Sequence, residues 1–402
     1  MTRRWGVLAI VFLGILTSYV DRGNLSIAAA PMMRDFAIPP STMGILLSAF
    51  FWTYAACQIP AGLIVDRFGI KRVYAVAFLI WSLASASIAL SRGVADVLVM
   101  RMILGMAEAA GPIASIAFIR RNFVGKEQGL PTAIYIGGQN LGPALGTLAG
   151  TILMARWGWR AMFAITGLAA LAWLPLWLGF APAGQNAGGA AEPAVDVKGR
   201  PAAHSAFWAM SAVTFLASYF WYFVLTWVPA YLTISRGFST LEMGRVLSIP
   251  LFVMAPMNIV AGFVADRLAA RLGSVFRVRV LFCAISYLGA SALMLLVVAP
   301  TPAVMPILVF AMCCTGIGNS NYWAIAQHVP PAGLVGRTIG YLNTVSQLGG
   351  VAAPLVTGLI LGPRKQFGAA LVVAGLCSAA AGLCLLSSGA RGLDRLKTAM
   401  AE

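Results

Sequence analysis

The sequence predicts an all-α membrane protein whose twelve transmembrane helices form two pseudo-symmetric six-helix bundles, and three observations lead there. First, of 402 residues 60% are hydrophobic and only 10% are charged, far below the quarter or so of charged residues in soluble domains. Second, apolar stretches of twenty or so residues recur along the whole chain, each long enough to cross roughly 30 Å of hydrocarbon as a helix. Third, a stretch rich in Ala, Gly and Pro divides these runs into two sets, and the sets echo one another. Gly62, Asp66 and Arg67 follow the second span, and Gly262, Asp266 and Arg267 follow the eighth at the same spacing, as expected of an internal repeat.

In order, the expected spans are Trp5 to Ala30, Ser41 to Val65, Val73 to Leu90, Asp96 to Ile119, Gln128 to Met154 and Trp159 to Phe180. The second set runs Ala206 to Leu232, Thr240 to Ala265, Arg279 to Val298, Ala303 to Gln327, Arg337 to Leu361 and Phe367 to Ser387. The organisation that follows is a first bundle over 1–180, a cytoplasmic linker over 181–203, a second bundle over 204–388 and a cytoplasmic tail over 389–402. Met1 to Arg4 carries two arginines ahead of an apolar run. That run continues as a full span, so it reads as a retained first helix and not as a cleaved leader.

A net charge of +16 would suggest nucleic acid in a soluble protein. Here the basic residues sit in short clusters between spans, with no stripe of interleaved aromatics, so nucleic acid is not expected as a partner and the bilayer is. With both termini cytoplasmic, the inner segments hold most of the basic residues, among them Arg67, Lys71, Arg72, Arg120, Arg121, Arg271, Arg277 and Arg279, and the outer segments hold fewer. That excess sets the expected orientation, multi-pass in a cell inner membrane. The six cysteines lie inside apolar spans with no metal-ligand spacing and read as small hydrophobes. No metal or organic cofactor is expected. An enzyme is not expected either, since no histidine or activated nucleophile sits mid-span.

Two arginines fall inside spans, Arg22 and Arg101. A charge in a span costs at least a few kcal/mol and persists only where partners or a watery cavity receive it. Asp21 adjoins Arg22, and Glu108 lies two helical turns after Arg101, about 10 Å along the same face. Such a set is either a static ion-pair network or a solute and proton pathway. Tyr19, Tyr54, Gln139 and Asn140 add polar groups at similar depth and favour the pathway. A guanidinium suits a carboxylate, so an anionic solute that takes an arginine's donors leaves a protein carboxylate without its counter-charge, which couples anion binding to proton uptake. In the second half the buried polarity is Asn319, Ser320, Asn321, Tyr322, Trp323, Asn343, Ser346 and Gln347, without charge: either interhelical hydrogen bonds or, as the clustering favours, a wall suited to hydroxyls. Gly137, Gly138, Gly142, Gly146 and Gly150 lie on an apolar helix, where spacing by four lets backbones approach; no strand precedes them, so they are not a phosphate loop. Pro60, Pro112, Pro143, Pro229 and Pro354 predict kinks, and His204 and His328 fall at span ends.

The segment Gly62-Leu-Ile-Val-Asp66-Arg67-Phe-Gly69-Ile-Lys71-Arg72 resembles the signature loop of the major facilitator superfamily. Within it, Tyr19-Val-Asp21-Arg22-Gly-Asn24-Leu-Ser26 and Arg101-Met-Ile-Leu-Gly105-Met-Ala-Glu108-Ala resemble the anion:cation symporters of sugar acids and aromatic acids, related to sialin. The resemblance covers essentially the whole chain. It implies an alternating-access symporter that carries a small organic carboxylate with protons as the coupling ion and works as a monomer. It further implies that Asp21 and Glu108 handle protons, that Arg101 pairs with Glu108, that Arg22 helps bind the anion, and that Tyr19, Tyr54, Gln139, Ser320, Trp323 and Asn343 contact substrate. The loop, with Gly62, Asp66, Arg67, Gly69, Lys71 and Arg72, is expected to act as a gating latch. Its second-half copy departs from the signature at Ala269, Ala270 and Arg271. The rival functions are a proton-coupled efflux antiporter and a membrane sensor that binds an anion without moving it.

Overall fold

A computed structural model of the chain describes residues 2–123, 125–182, 205–330, 334–362 and 366–401. Among these there is no strand, and the helices run α1 (Thr2–Asp35), α2 (Pro40–Phe68), α3 (Ile70–Ser87), α4 (Val94–Glu108), α5 (Ala110–Asn122), α6 (Gly129–Ala170) and α7 (Trp173–Phe180). They continue as α8 (Ser205–Ile234), α9 (Thr240–Leu272), α10 (Val275–Ala290), α11 (Val304–His328), α12 (Val335–Leu361) and α13 (Gly368–Ala401). The expected linker falls almost wholly on residues 183–204, outside the described residues, as does His204.

Among the described residues eleven continuous stretches are long and apolar enough to cross a membrane, and one of them, Gly129–Phe180, is 52 residues long. At 1.5 Å per residue it would reach about 80 Å, more than twice the hydrocarbon thickness. It turns back at Gly158, whose φ of 78° and ψ of 171° interrupt the helix. The contacts along α1 confirm the reversal. Ahead of the turn, Gly138, Gly142, Gly146 and Gly150 meet α1 in ascending order at Ile15, Tyr19, Val20 and Ile27. After it, Trp159 donates its indole N–H to Asp35, Asn24 donates to Thr166, and Trp173 donates to the carbonyl of Ile10, a descending order. The stretch is therefore two crossings, which brings the count to twelve.

Strongly exposed apolar side chains such as Ile59, Leu90, Ile259 and Val298 (76–83%) are what a lipid-facing surface requires, since hydrocarbon takes the place of water there. Close packing is concentrated elsewhere. The helices form two compact units, the first made of Met1–Gly189, Leu225–Ser248 and Pro354–Lys365, the second of Ala190–Val224, Ile249–Ala353 and Gln366–Glu402.

In the first unit an aromatic cluster knits α3 to α7. Phe78 stacks on Trp173 with centroids 4.1 Å apart, Tyr74 meets Trp177 edge-on at 5.0 Å, and the Trp177 indole donates to the carbonyl of Lys71 at 3.0 Å. Helix α4 lies hard against α2: a Cβ on Gly105 would stand 2.2 Å from the carbonyl oxygen of Phe50, and the Thr53 hydroxyl donates to Met102 O at 2.7 Å. Between α4 and α5 the helix breaks at Ala109. Pro112 has no N–H to give to the carbonyl of Glu108, four residues back, so the backbone ladder loses a rung there while Ala109 keeps helical angles (φ −57°, ψ −27°).

In the second unit α13 bends at Gly389, with φ 58° and ψ 172°. The segment beyond it, expected as a tail, is helical and buries Leu393 and Leu396 against Ala206, Met210, Phe276, Ile325 and Leu334.

Candidate functional site

Three helices of the first unit build a buried charged cluster. Successive residues on a helix point about 100° apart, so Asp21 and Arg22, neighbours in sequence, face different elements. Asp21 turns to α3, where its Oδ1 accepts from the Ser85 hydroxyl at 2.8 Å. Arg22 turns to the end of α4, where its Nε donates to Glu108 Oε2 at 2.6 Å. The same oxygen accepts from Ser18 Oγ at 2.7 Å, one turn before Arg22 on α1. The side chain of Glu108 is fully buried and that of Arg22 is 13% exposed.

Aromatic rings enclose the Arg22 guanidinium. Its carbon lies 4.7 Å from the Tyr19 centroid, 4.8 Å from Phe50 and 4.6 Å from Tyr54. A cation over ring faces gains electrostatic energy without being hydrated, worth up to about 2 kcal/mol when desolvated. Arg101, also buried, lies 5.2 Å from the Phe50 centroid. Phe50 is thus in contact with both cations, and the tight α2–α4 approach at Gly105 sets its place.

One expectation is corrected here. The resemblance pairs Arg101 with Glu108, whereas the structure pairs Arg22 with it. Arg22 reaches Glu108 from the facing helix, while Arg101, two turns back along α4, is directed at Phe50. Among the described residues, Arg101 Nε and Nη1, Arg22 Nη2, Glu108 Oε1 and Asp21 Oδ2 are buried without hydrogen-bond partners. Five donors and acceptors of a charged cluster left open in this way are what an exchanging, polar solute can complete.

The other expected residues are distributed between the units. Gln139 donates to the hydroxyl of Tyr135 one turn earlier on α6, at 3.1 Å, and Tyr54 is buried beside Arg22. In the second unit Ser320 and Trp323 are partly buried on α11, and Asn343 is partly buried on α12. Around them Ser218 bonds Ser346 at 2.7 Å, and Tyr222 donates to Gln347 at 3.4 Å. In the loop, Gly69 takes a φ of 84° and closes α2 by donating to Val65 O. Asp66, Arg67 and Arg72 are exposed, Gly62 has open space where a Cβ would stand, and Lys71 receives the Trp177 indole through its carbonyl. The Arg67 guanidinium lies over Phe68 at 5.3 Å.

Sequence reasoning missed several partners. Ser18 and Ser85 look like ordinary small helix residues, and only Ser18, four before Arg22, had a spacing that could have marked it. Arg279, placed by sequence among the loop charges that set orientation, is instead buried on α10, where it bonds Asp266 and Asn321. The second half therefore does bury a charge. A cavity of about 610 Å³ also lies in the first unit, lined by Pro31, Arg34, Trp159, Phe238 and Thr240 among others; none of the charged cluster lines it. Among the described residues no group of His, Cys, Asp or Glu could hold a metal ion.

The model of the Major Facilitator Superfamily matches residues 11–354. The "Hexuronate transporter" of Bacillus subtilis (strain 168) is 28% identical, with 94% of this chain and 93% of that protein covered. The "Probable galactarate/D-glucarate transporter" of Escherichia coli (strain K12) is also 28% identical, covering 95% and 94%. The "Probable anion transporter 4, chloroplastic" of Oryza sativa subsp. japonica is 30% identical over 89% of this chain, which spans 64% of that protein's length. Among solved structures, a bacterial homolog of the human lysosomal transporter Spinster superposes with a TM-score of 0.78 at 18% identity, covering 100% and 98% of the two chains. A D-xylose-proton symporter superposes at 0.75 with 16% identity, covering 96% and 99%. At such identities these two report the fold alone. With the signature loop, the twelve crossings and a family match over most of its length, this chain belongs to the major facilitator superfamily, a family of transporters and not of enzymes.

Proposed function

We propose that the chain is a proton-coupled symporter of a small organic anion, a sugar acid or related carboxylate, working by alternating access as a monomer in a cell inner membrane with both termini cytoplasmic. The observation that carries the reading is the Glu108 carboxylate held by Arg22 inside an aromatic enclosure, beside a second arginine with open donors. The relatives named for hexuronate and for galactarate or glucarate support the substrate class.

The steps follow from the contacts. A substrate carboxylate offers Arg101 its missing acceptors and competes with Glu108 for the Arg22 fork. Glu108, buried and stripped of that partner, takes up a proton, since an unpaired buried charge is far costlier than a neutral acid. Release of the solute returns Arg22 to Glu108 and expels the proton. Asp21, bonded on one oxygen to Ser85, is the second proton carrier. Tyr19, Tyr54, Gln139, Ser320, Trp323 and Asn343 contact the solute, and the Asp66 loop latches one conformation.

Purified protein in proteoliposomes tests this. An inward proton gradient is expected to drive accumulation of a hexuronate or aldarate, with a protonophore abolishing it. Glu108→Gln is expected to keep solute counterflow and lose gradient-driven accumulation. Accumulation that survives in both Glu108→Gln and Asp21→Asn would remove the coupling mechanism. Proton-driven exit of lipophilic compounds would instead identify an antiporter, and binding without flux a sensor.

A further inference from the structure

We infer that Arg279 is a positioning residue that fixes which face of α11 is offered to the solute, an inference that rests on the reading of Ser320 and Trp323 as substrate contacts. Residues 319–323, Asn-Ser-Asn-Tyr-Trp, look alike in sequence as a polar cluster. On a helix they separate, because Ser320 and Trp323 lie only about 60° apart around the axis while Asn321 and Tyr322 fall on the other side.

That other side is anchored. Tyr322 donates its hydroxyl to Met210 O on α8 at 2.7 Å and meets Thr214. Asn321 is fully buried; its Nδ2 donates to Ile317 O at 2.9 Å and its Oδ1 accepts from Arg279 Nη1 at 3.3 Å. On the open face Trp323 packs partly against the core of the unit, and neither it nor Ser320 hydrogen-bonds another helix among the described residues. The Ser320 hydroxyl bonds only carbonyls of its own helix, Gly316 and Ile317.

Arg279 itself is buried, and its Nη2 bonds Asp266 near the end of α9. One planar guanidinium therefore spans α9, α10 and α11, with one nitrogen on a carboxylate and the other on an amide, a geometry that a single lysine ammonium cannot reproduce. The acid it grips is the second-half counterpart of Asp66. In the first half that acid is exposed without a hydrogen bond or ion pair among the described residues; in the second it holds the arginine that orients α11. A rotation of α11 would exchange its anchored and open faces, and the Arg279–Asn321 contact opposes it.

Two variants of the full-length protein separate this role from plain stability. Arg279→Lys keeps a cation for Asp266 and gives up the bridge to Asn321. Asp266→Asn keeps the guanidinium on Asn321. Each is reconstituted and assayed with a panel of aldonates, hexuronates and aldarates, and amide hydrogen exchange is followed over residues 317–323. Arg279→Lys is expected to raise KM about three- to tenfold, the loss of one hydrogen bond, to reorder acids that differ in hydroxyl pattern, and to speed exchange in that segment. Asp266→Asn is expected to lower Tm and leave the ranking unchanged.

Unchanged ranking and exchange in Arg279→Lys would overturn the inference, as would a reordering by Asp266→Asn as large as that by Arg279→Lys. Should Arg279→Lys fail to fold, Asn321→Ala removes only the acceptor and is read in the same assays. If the unaltered protein moves none of the acids, the proposed function fails, and the exchange measurement still decides the positioning of α11.

Discussion

The first unit holds a cluster of four ionisable side chains, two of them arginines set against aromatic rings, whereas among the described residues of the second unit hydroxyls and amides pair between α8 and α12, and the buried Arg279 ties α9, α10 and α11 together. The contrast separates two kinds of dependence. A buried charge that loses its partner is costly by several kcal/mol, so Arg22 and Glu108 each need the other. A neutral hydroxyl that loses its partner costs about 1 kcal/mol, so the second wall is tunable one residue at a time.

The sharpest attempt to break this contrast is Arg22→Gln. It leaves Glu108 buried with Ser18 alone, a cost of about 3–5 kcal/mol, and solute affinity is expected to fall at least about 100-fold by calorimetry while Tm also drops. An effect as mild as that of a hydroxyl deletion would erase the distinction between the units.

Next in size is Gly142→Ala. The new Cβ would stand 2.5 Å from Tyr19 Cβ, and α1 has to move with Tyr19 and Arg22 to admit it, a destabilisation of about 1–3 kcal/mol. Gly137→Ala, on the same helix with open space around it, is expected to leave Tm and uptake unchanged. Equal effects at the two glycines would mean that the stripe does not set the position of α1.

Ser320→Ala is expected to raise KM about two- to tenfold without loss of maximal rate, measured as initial uptake. Phe50→Leu comes last, since it removes a ring from two cations and keeps an apolar side chain in most of its space, and about a two- to fivefold weaker affinity is expected, the cation–π contribution at a partly polar site. A larger loss for Phe50→Leu than for Ser320→Ala would reverse their order and show that aromatic support matters as much as direct bonding.

The fold was legible because membrane solvation writes it in composition: twenty-residue apolar runs, Gly at every fourth place on α6, and the loop around Asp66 all report backbone constraints that act locally. The charged residues were legible for the same reason, since Arg22 and Arg101 are anomalous wherever they point. Their pairing was not, because whether Glu108 meets the arginine on its own helix or the one facing it depends on how α1 docks, and that is settled by Gly138, Gly142 and Gly146 acting together. Arg279 was misread because it stands at the edge of an apolar run, where a topogenic charge and a buried one look identical until α11 supplies Asn321.

The break between α4 and α5 adds a mechanical consequence. Pro112 removes one rung of the backbone ladder at the residue whose carboxylate Arg22 grips, so the helix is softest beside that ion pair. Under the proposed coupling, a change of ionisation at Glu108 would be delivered to a joint, where a small local rearrangement displaces the far end of α5 most.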